Sequence, residues 1–273
     1  MSHSLPRESE SLSVVAARVQ QDGFALLSGV WQEDEIGPIR QQLQASLHPL
    51  GDSSAAIGAR RGTVYAARNL IQLWPEVVNM ARHPRLVDAV RQVLGPRFGL
   101  VRALYFDKPP GGSWALPWHR DRAIAVECHR KPLGSFRRPT TKAGVPHVDA
   151  PVELLNQMLT ARIHLDPMTP HNGPLHVIGG SHRDVDAPAT VISSATATPL
   201  SPETSPAHKD PAATTILTEA GDVFLMRPLL VHGSLSADEG TQLHRRIVHL
   251  EYAAVESPGE GFAWHDYLPC QPT

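Results

Sequence analysis

Leu116-Pro117-Trp118-His119-Arg120-Asp121 is the stretch whose reading decides the fold. It reads as part of a strand, and on a strand residues two apart point to the same face. His119 and Asp121 would then offer an imidazole nitrogen and a carboxylate oxygen to one point in space. A metal held there needs a third protein ligand. The best candidate is His232 in Leu230-Val231-His232-Gly233-Ser234, far downstream, as a barrel that folds back on itself would place it.

The surrounding texture agrees with a β architecture. Short runs punctuated by turn signals predict strands over 98–108, 118–126, 160–165, 175–178, 215–217, 223–227 and 245–253, a pattern of sandwiches and barrels. The first third is instead helical, with one early strand. Leu12, Val15, Ala16 and Val19 recur at helical spacing up to Gly23, and 24–30 follows as a strand. Ile36, Ile39, Leu43 and Leu47 share a face of a second helix, and Pro75 and Pro84 sit at first-turn positions of two more. The chain is expected to be one domain, a helical buttress over about 1–97 and a β core over about 98–256. Segments 129–151 and 184–214 are expected as long loops, candidate lids.

Composition excludes several classes. The 273 residues are 41% hydrophobic and carry a net charge of −2, so no overall basic field suits nucleic acid or an anionic membrane. No apolar run approaches the roughly 20 residues of a membrane span. The polar start, Met1 to Glu10, lacks a signal-peptide core, and Cys128 and Cys270 make no disulfide framework. A cytoplasmic protein is expected. There is no phosphate-binding loop, no dinucleotide fingerprint and no HExxH. Gly179-Gly180-Ser181-His182-Arg183 reads as a turn, not a nucleophile elbow.

Two histidines and one carboxylate occupy one face of an octahedron and leave three positions open, as non-haem Fe(II) oxygenases require. A 2-oxo acid cosubstrate fills two of them, dioxygen the third, and the cosubstrate's far carboxylate needs a fixed cation. Arg245 and Arg246, at the head of the last strand, are both placed for this, since a guanidinium pairs a carboxylate bidentately and never deprotonates. Zinc accepts the same ligands with one water, so a jelly-roll that hydrolyses or merely binds a ligand is the competing expectation. It gives the arginine no task. An isolated His-x-Asp is common as a surface pair. Specificity lies in the ordered set of His-x-Asp, Asn-Gly turn, Gly-Asp, His and Arg.

That set resembles the phytanoyl-CoA dioxygenase family of Fe(II)/2-oxoglutarate oxygenases. The resemblance rests on Phe106-Asp107-Lys108-Pro109-Pro110 leading to Trp118-His119-Arg120-Asp121, and on Asn172 through His182. It extends through Gly221-Asp222-Val223, His232-Gly233-Ser234 and Arg245 through Tyr252. It implies a double-stranded β-helix, a cupin-like jelly-roll with the N-terminal helices packed on its larger sheet. His119, Asp121 and His232 match the iron ligands. The distance to Tyr252 selects Arg245 as the 2-oxoglutarate anchor, with Arg246 second. Strand alternation then turns Arg245, Ile247, His249 and Glu251 inward. Ser234, Leu104, Thr160 and Arg162 fall where relatives line the cosubstrate. Trp118, Arg137 and Arg138 are candidate substrate contacts.

The implied cofactors are Fe(II), 2-oxoglutarate and dioxygen, with ascorbate as a reductant. The implied reaction oxidises a C–H bond of a small molecule and releases succinate and CO2. Family members that halogenate replace the carboxylate with a small residue, so Asp121 implies hydroxylation. The basic residues of 129–151 favour an anionic, carboxylate-bearing substrate or a secondary metabolite.

Overall fold

The computed structural model describes residues 10–50, 56–60, 63–112, 114–185 and 213–270. Helices α1 (Leu12–Gln21), α2 (Glu33–Leu47), α3 (Leu70–Leu73), α4 (Val77–Ala81) and α5 (Pro84–Leu94) precede the barrel, and α6 (Val152–Leu155) lies within it. The strands begin with β1 (Phe24–Leu27), β2 (Ile57–Arg60), β3 (Thr63–Ala67), β4 (Gly99–Asp107), β5 (Leu116–His119), β6 (Ala123–Ala125), β7 (Arg137–Lys142) and β8 (Val145–Asp149). They continue with β9 (Met158–His164), β10 (Leu175–Ile178), β11 (Ala213–Ile216), β12 (Val223–Met226), β13 (His232–Ser234), β14 (Arg246–Ala253) and β15 (Leu268–Pro269).

A major sheet runs β1-β12-β9-β14-β4-β3-β2, with β15 on β4, and faces a minor sheet ordered β11-β10-β13-β5. This is the jelly-roll the sequence implied. A third sheet, β6-β8-β7, flanks it. The outer face of the major sheet is apolar: Ala103, Tyr105, Ala161, Ile163, Val248, Leu250 and Tyr252 share one core with Val15, Ile36, Leu43, Leu86 and Val90 from the helices. Burying such a face against amphipathic helices is the dominant favourable term in the fold. Tyr252 closes it, donating its hydroxyl to the Ala81 carbonyl at 3.0 Å.

Local chemistry sets the element ends. The Ser11 hydroxyl caps α1 at the Val14 N–H, and Pro84 opens α5. At Gly221 (φ +84°) the turn into β12 passes so near Trp31 that a Cβ would lie 2.0 Å from its carbonyl oxygen. Only glycine fits there.

Three expectations need correction. The single strand over 118–126 is broken: β5 ends at His119, and Asp121 lies in the connection to β6, its N–H donating to the Pro228 carbonyl at 2.9 Å. The supposed loop 129–151 contains the hairpin β7–β8, whose charged and proline-containing strands hide the usual alternation. The helical third also contains the β2–β3 hairpin, which extends the major sheet. Its Gly- and Ala-rich sequence carries little periodic signal. Loop 184–214 falls mostly outside the described residues. No helix among the described residues is long and apolar enough to cross a membrane.

Candidate metal centre and its cation-lined cleft

The minor sheet brings the two histidines together: β13 pairs with β5 so that His232 lies opposite His119, with ring centroids 4.1 Å apart. Each ring is held from behind. His119 Nδ1 lies 2.8 Å from the Pro117 carbonyl and His232 Nδ1 2.9 Å from that of Leu230. A carbonyl accepts only from N–H, so both Nδ1 atoms carry the proton and both Nε2 lone pairs are free. Those Nε2 atoms face Asp121, at 3.7 Å from Oδ1 for His119 and 3.7 Å from Oδ2 for His232. One ligand atom from each of the three residues lies within 4.8 Å of the others, a spacing that encloses a single ion.

Electrostatics prepare the same set. Burial pushes the His232 imidazole down to about 3, so it stays neutral and able to coordinate. Burial opposes ionisation of Asp121, but His232, His249, His119 and Arg102 outweigh it and hold the carboxyl at about 2. Two imidazoles and one carboxylate suit a divalent metal, and the Nδ1–carbonyl anchors of the histidines fix ring orientation as metal sites require. Asp121 reaches the point expected of it from a connection, not from the strand face that suggested it.

The triad opens into a cleft of about 500 Å³ between the sheets. On one side lies Arg245, buried, its Nη1 donating to the Gly173 carbonyl at 2.7 Å while Nε has no partner among the described residues. Arg162 on β9 is 7% exposed, and its Nε is also without a partner among the described residues. Lys108 is equally buried and donates to Ser234 Oγ at 2.8 Å and to the Leu235 carbonyl. Burial, helped by Arg245 and Arg162, pushes the Lys108 ammonium down to about 6. Burial and Arg162 bring Arg245 to about 9. Buried cations crowded this way are costly unless an anion joins them.

The Asn172-Gly173 turn sets this geometry. Gly173 has φ +71°, and a Cβ there would lie 2.6 Å from the Leu235 carbonyl and 3.1 Å from Lys108 Nζ. Glycine therefore lets the Gly173 carbonyl accept from Arg245.

Arg246, the second candidate anchor, turns away. Its Nε and Nη2 grip Asp166 at 2.6 and 2.7 Å on the other face of the strand. Leu104 and Ser234 line the cleft, whereas Thr160, fully buried, does not. Trp118 points away from it into a small apolar cluster with Ile178 and Val231, and so is no wall for a substrate. Arg137 Nη1 is spent on the Gly134 and Phe136 carbonyls, and only Arg138 of that pair reaches the cleft. Lys108, Trp114, Arg68 and Arg102, to which the sequence assigns no role, also line it, as does Lys142 from the basic segment 129–151. The available signals are Lys108 inside the Phe106–Pro110 run and Lys142 among the basic residues of 129–151. The others follow from pairings across the sheet.

A jelly-roll with two histidines and a carboxylate converging between its sheets defines the class, that of cupin-type metalloproteins with one open coordination face. Within that class the chain belongs to the phytanoyl-CoA dioxygenase (PhyH) family, which matches residues 19–247. It is 25% identical over 171 residues to the ectoine dioxygenase of Sphingopyxis alaskensis (strain DSM 13593 / LMG 18877 / RB2256), covering 62% of this chain and 49% of that protein. The match thus spans about half the length of the curated relative. The iron-bound crystal structure of EctD from S. alaskensis superposes with a TM-score of 0.63 at 21% identity, over 92% of this chain and 79% of that one. The non-haem α-ketoglutarate-dependent epimerase SnoN from nogalamycin biosynthesis gives 0.59 at 19% identity, over 89% and 80%. At such identities these structures share the fold.

Proposed function

We propose that the chain is a non-haem Fe(II)- and 2-oxoglutarate-dependent dioxygenase that hydroxylates an anionic small molecule. The observation that carries this reading is one cleft in which a His-Asp-His set adjoins the buried cations Arg245, Arg162 and Lys108, which have no carboxylate ion-pair partner among the described residues. A zinc hydrolase would use the first feature and leave the second without purpose.

His119 Nε2, Asp121 and His232 Nε2 would hold the iron. Iron with 2-oxoglutarate and dioxygen supplies oxidation of a C–H bond to C–OH, with succinate and CO2 as co-products. The protein's own work is placement. Arg245, with Ser234 and Lys108, takes the far carboxylate of 2-oxoglutarate, a charge-assisted contact in a site of low dielectric. Arg162 stands between that end and the triad, and Leu104 packs beside the cosubstrate. Asp121 keeps a carboxylate at the position that halogenating relatives leave small, which supports hydroxylation. Arg138 lies at the cleft mouth, where it meets incoming substrate.

The test is 2-oxoglutarate turnover without substrate. Purified protein given Fe(II), ascorbate and oxygen is expected to release succinate slowly. His232→Ala should abolish release and weaken iron binding by more than about 100-fold, since even partners that only orient a ligand are worth 10–100-fold. Succinate release that persists in His232→Ala, or zinc-supported hydrolysis in its place, would overturn the assignment.

A further inference from the structure

At the end of the cleft away from Arg245, a second group of cations has no role in holding the cosubstrate. Arg102 on β4, Arg68 just after β3 and Lys142 at the end of β7 all line the cavity. They come from three separate pieces of chain that are tied together. The Asn69 amide donates to the Ala143 carbonyl at 3.3 Å, which docks the tip of the β7–β8 hairpin beside Arg68 and carries Lys142 with it. Arg102 pairs with Glu251, its register partner on β14, and His249 shares that carboxylate at 3.1 Å. Arg68 and Lys142 have neither an acid nor a hydrogen-bond acceptor on their side chains among the described residues.

The local charge does not close. Asp149 is spent on Arg138 at 3.7 Å, and Asp266, behind Arg68, accepts from Gln72 at 2.8 Å. Of the other acids lining the cavity, Glu251 pairs with Arg102 and Asp121 belongs to the metal set, so among the described residues no carboxylate makes an ion pair with Arg68 or Lys142. The surroundings register the field. His147, beside this group, is pushed down to about 4 by burial, with Arg102, Lys142 and Arg68 adding to it. Like charges held together in a half-buried site repel one another, an arrangement that a ligand supplying the countercharge would relieve.

We infer that Arg68, Arg102 and Lys142 form a substrate subsite for a dianionic phosphoryl group, a phosphate ester or phosphonate. Two guanidinium forks and one ammonium converging from different directions suit a tetrahedral oxyanion better than a flat carboxylate, which one fork satisfies. Arg102 lines the same cavity as His119, Asp121 and His232, so the subsite borders the metal centre. The carbon chain attached to the phosphoryl group would then cross the open face of the metal. The inference rests on the reading that 2-oxoglutarate occupies the Arg245 end, because that leaves the opposite end to the substrate.

The test is calorimetric titration of inorganic phosphate into protein loaded with Fe(II) and saturating 2-oxoglutarate under argon, with the visible band of the iron–cosubstrate chelate followed in parallel. Saturable binding with the band retained is expected. It should weaken at least about tenfold in both Arg68→Gln and Lys142→Gln, each a half-buried side chain whose loss leaves no buried charge unpaired. Malonate should bind more weakly than phosphate. Four results would each overturn the subsite: no saturation, wild-type affinity in either variant, loss of the band as phosphate binds, or tighter binding of malonate. If no band forms at the outset, the cosubstrate reading has failed separately. Phosphate titration of metal-free protein and the same two variants then still decides whether the subsite exists.

Discussion

The two faces of the major sheet are made by the same strands and alternate residue by residue, yet they serve opposite ends. On the outer face Val248 and Leu250 of β14 are fully buried among aliphatic and small side chains, with Ala103 and Ala161 flanking Leu250 in register. On the inner face His249 and Glu251 look across to Leu104, Arg102 and Arg162. The outer face gives up water for close packing and is content without a ligand. The inner face gives up water for cations, of which Arg245, Arg162 and Lys108 have no carboxylate ion-pair partner among the described residues. The outer side therefore stores stability, and the inner side holds binding energy in reserve for anions, at some expense to the fold.

Three perturbations sharpen that contrast. Leu250→Ala should be the most disruptive. A leucine truncated in a closed core costs about 2–5 kcal/mol, read as a drop in urea midpoint, while 2-oxoglutarate affinity of the folded protein stays unchanged. A matching fall in affinity would mean that the two faces are not separable.

The next effect is a pH dependence. Burial beside Arg245 and Arg162 pushes Lys108 down to about 6, so the free protein near pH 7.5 carries it mostly neutral. A dianion beside it favours the ammonium form, so 2-oxoglutarate binding takes up a proton. Affinity should fall by up to about tenfold per pH unit above pH 6 and level off below it. Calorimetry in buffers of different ionisation enthalpy would show the uptake, and Lys108→Met would remove it. A slope unchanged in Lys108→Met would assign the proton elsewhere.

The smallest effect is expected at Trp118. Its indole packs with Ile178 and Val231, and Nε1 has no partner among the described residues, so Trp118→Phe should cost under about 1.5 kcal/mol and leave turnover unaltered. A changed KM with unaltered stability would put Trp118 back in the cleft.

The legibility of the sequence follows the same division. Periodicity located the outer face and the helices upon it, because apolar alternation is what those positions require. Short motifs singled out His119, Asp121 and His232, and the fold brings one ligand atom of each within 4.8 Å of the others. Position within strands is harder to read: alternation predicts Asp121 on a strand, and it sits in the connection between β5 and β6. What stayed hidden was part of the cationic lining of the cleft. Lys108, Arg102, Arg68 and Lys142 are ordinary basic residues along the chain, and only cross-strand register and the hairpin docking at Ala143 gather them. Arg137 shows the converse, a basic residue near the right place whose guanidinium is already used by carbonyls.

Adjacent arginines on opposite faces of β14 give the most direct test. Wild type, Arg245→Ala and Arg246→Ala would be loaded with Fe(II) under argon, and 2-oxoglutarate titrated while the visible charge-transfer band of the chelate and the urea midpoint are followed. Arg245→Ala should raise the Kd about 100-fold, the worth of one buried charge-assisted pair, with little loss of stability. Arg246→Ala should leave the Kd alone and cost about 2 kcal/mol through loss of its grip on Asp166. An absent band in wild type, or a Kd that responds to Arg246→Ala and not to Arg245→Ala, would contradict the assignment of the inner face as the site of chemistry.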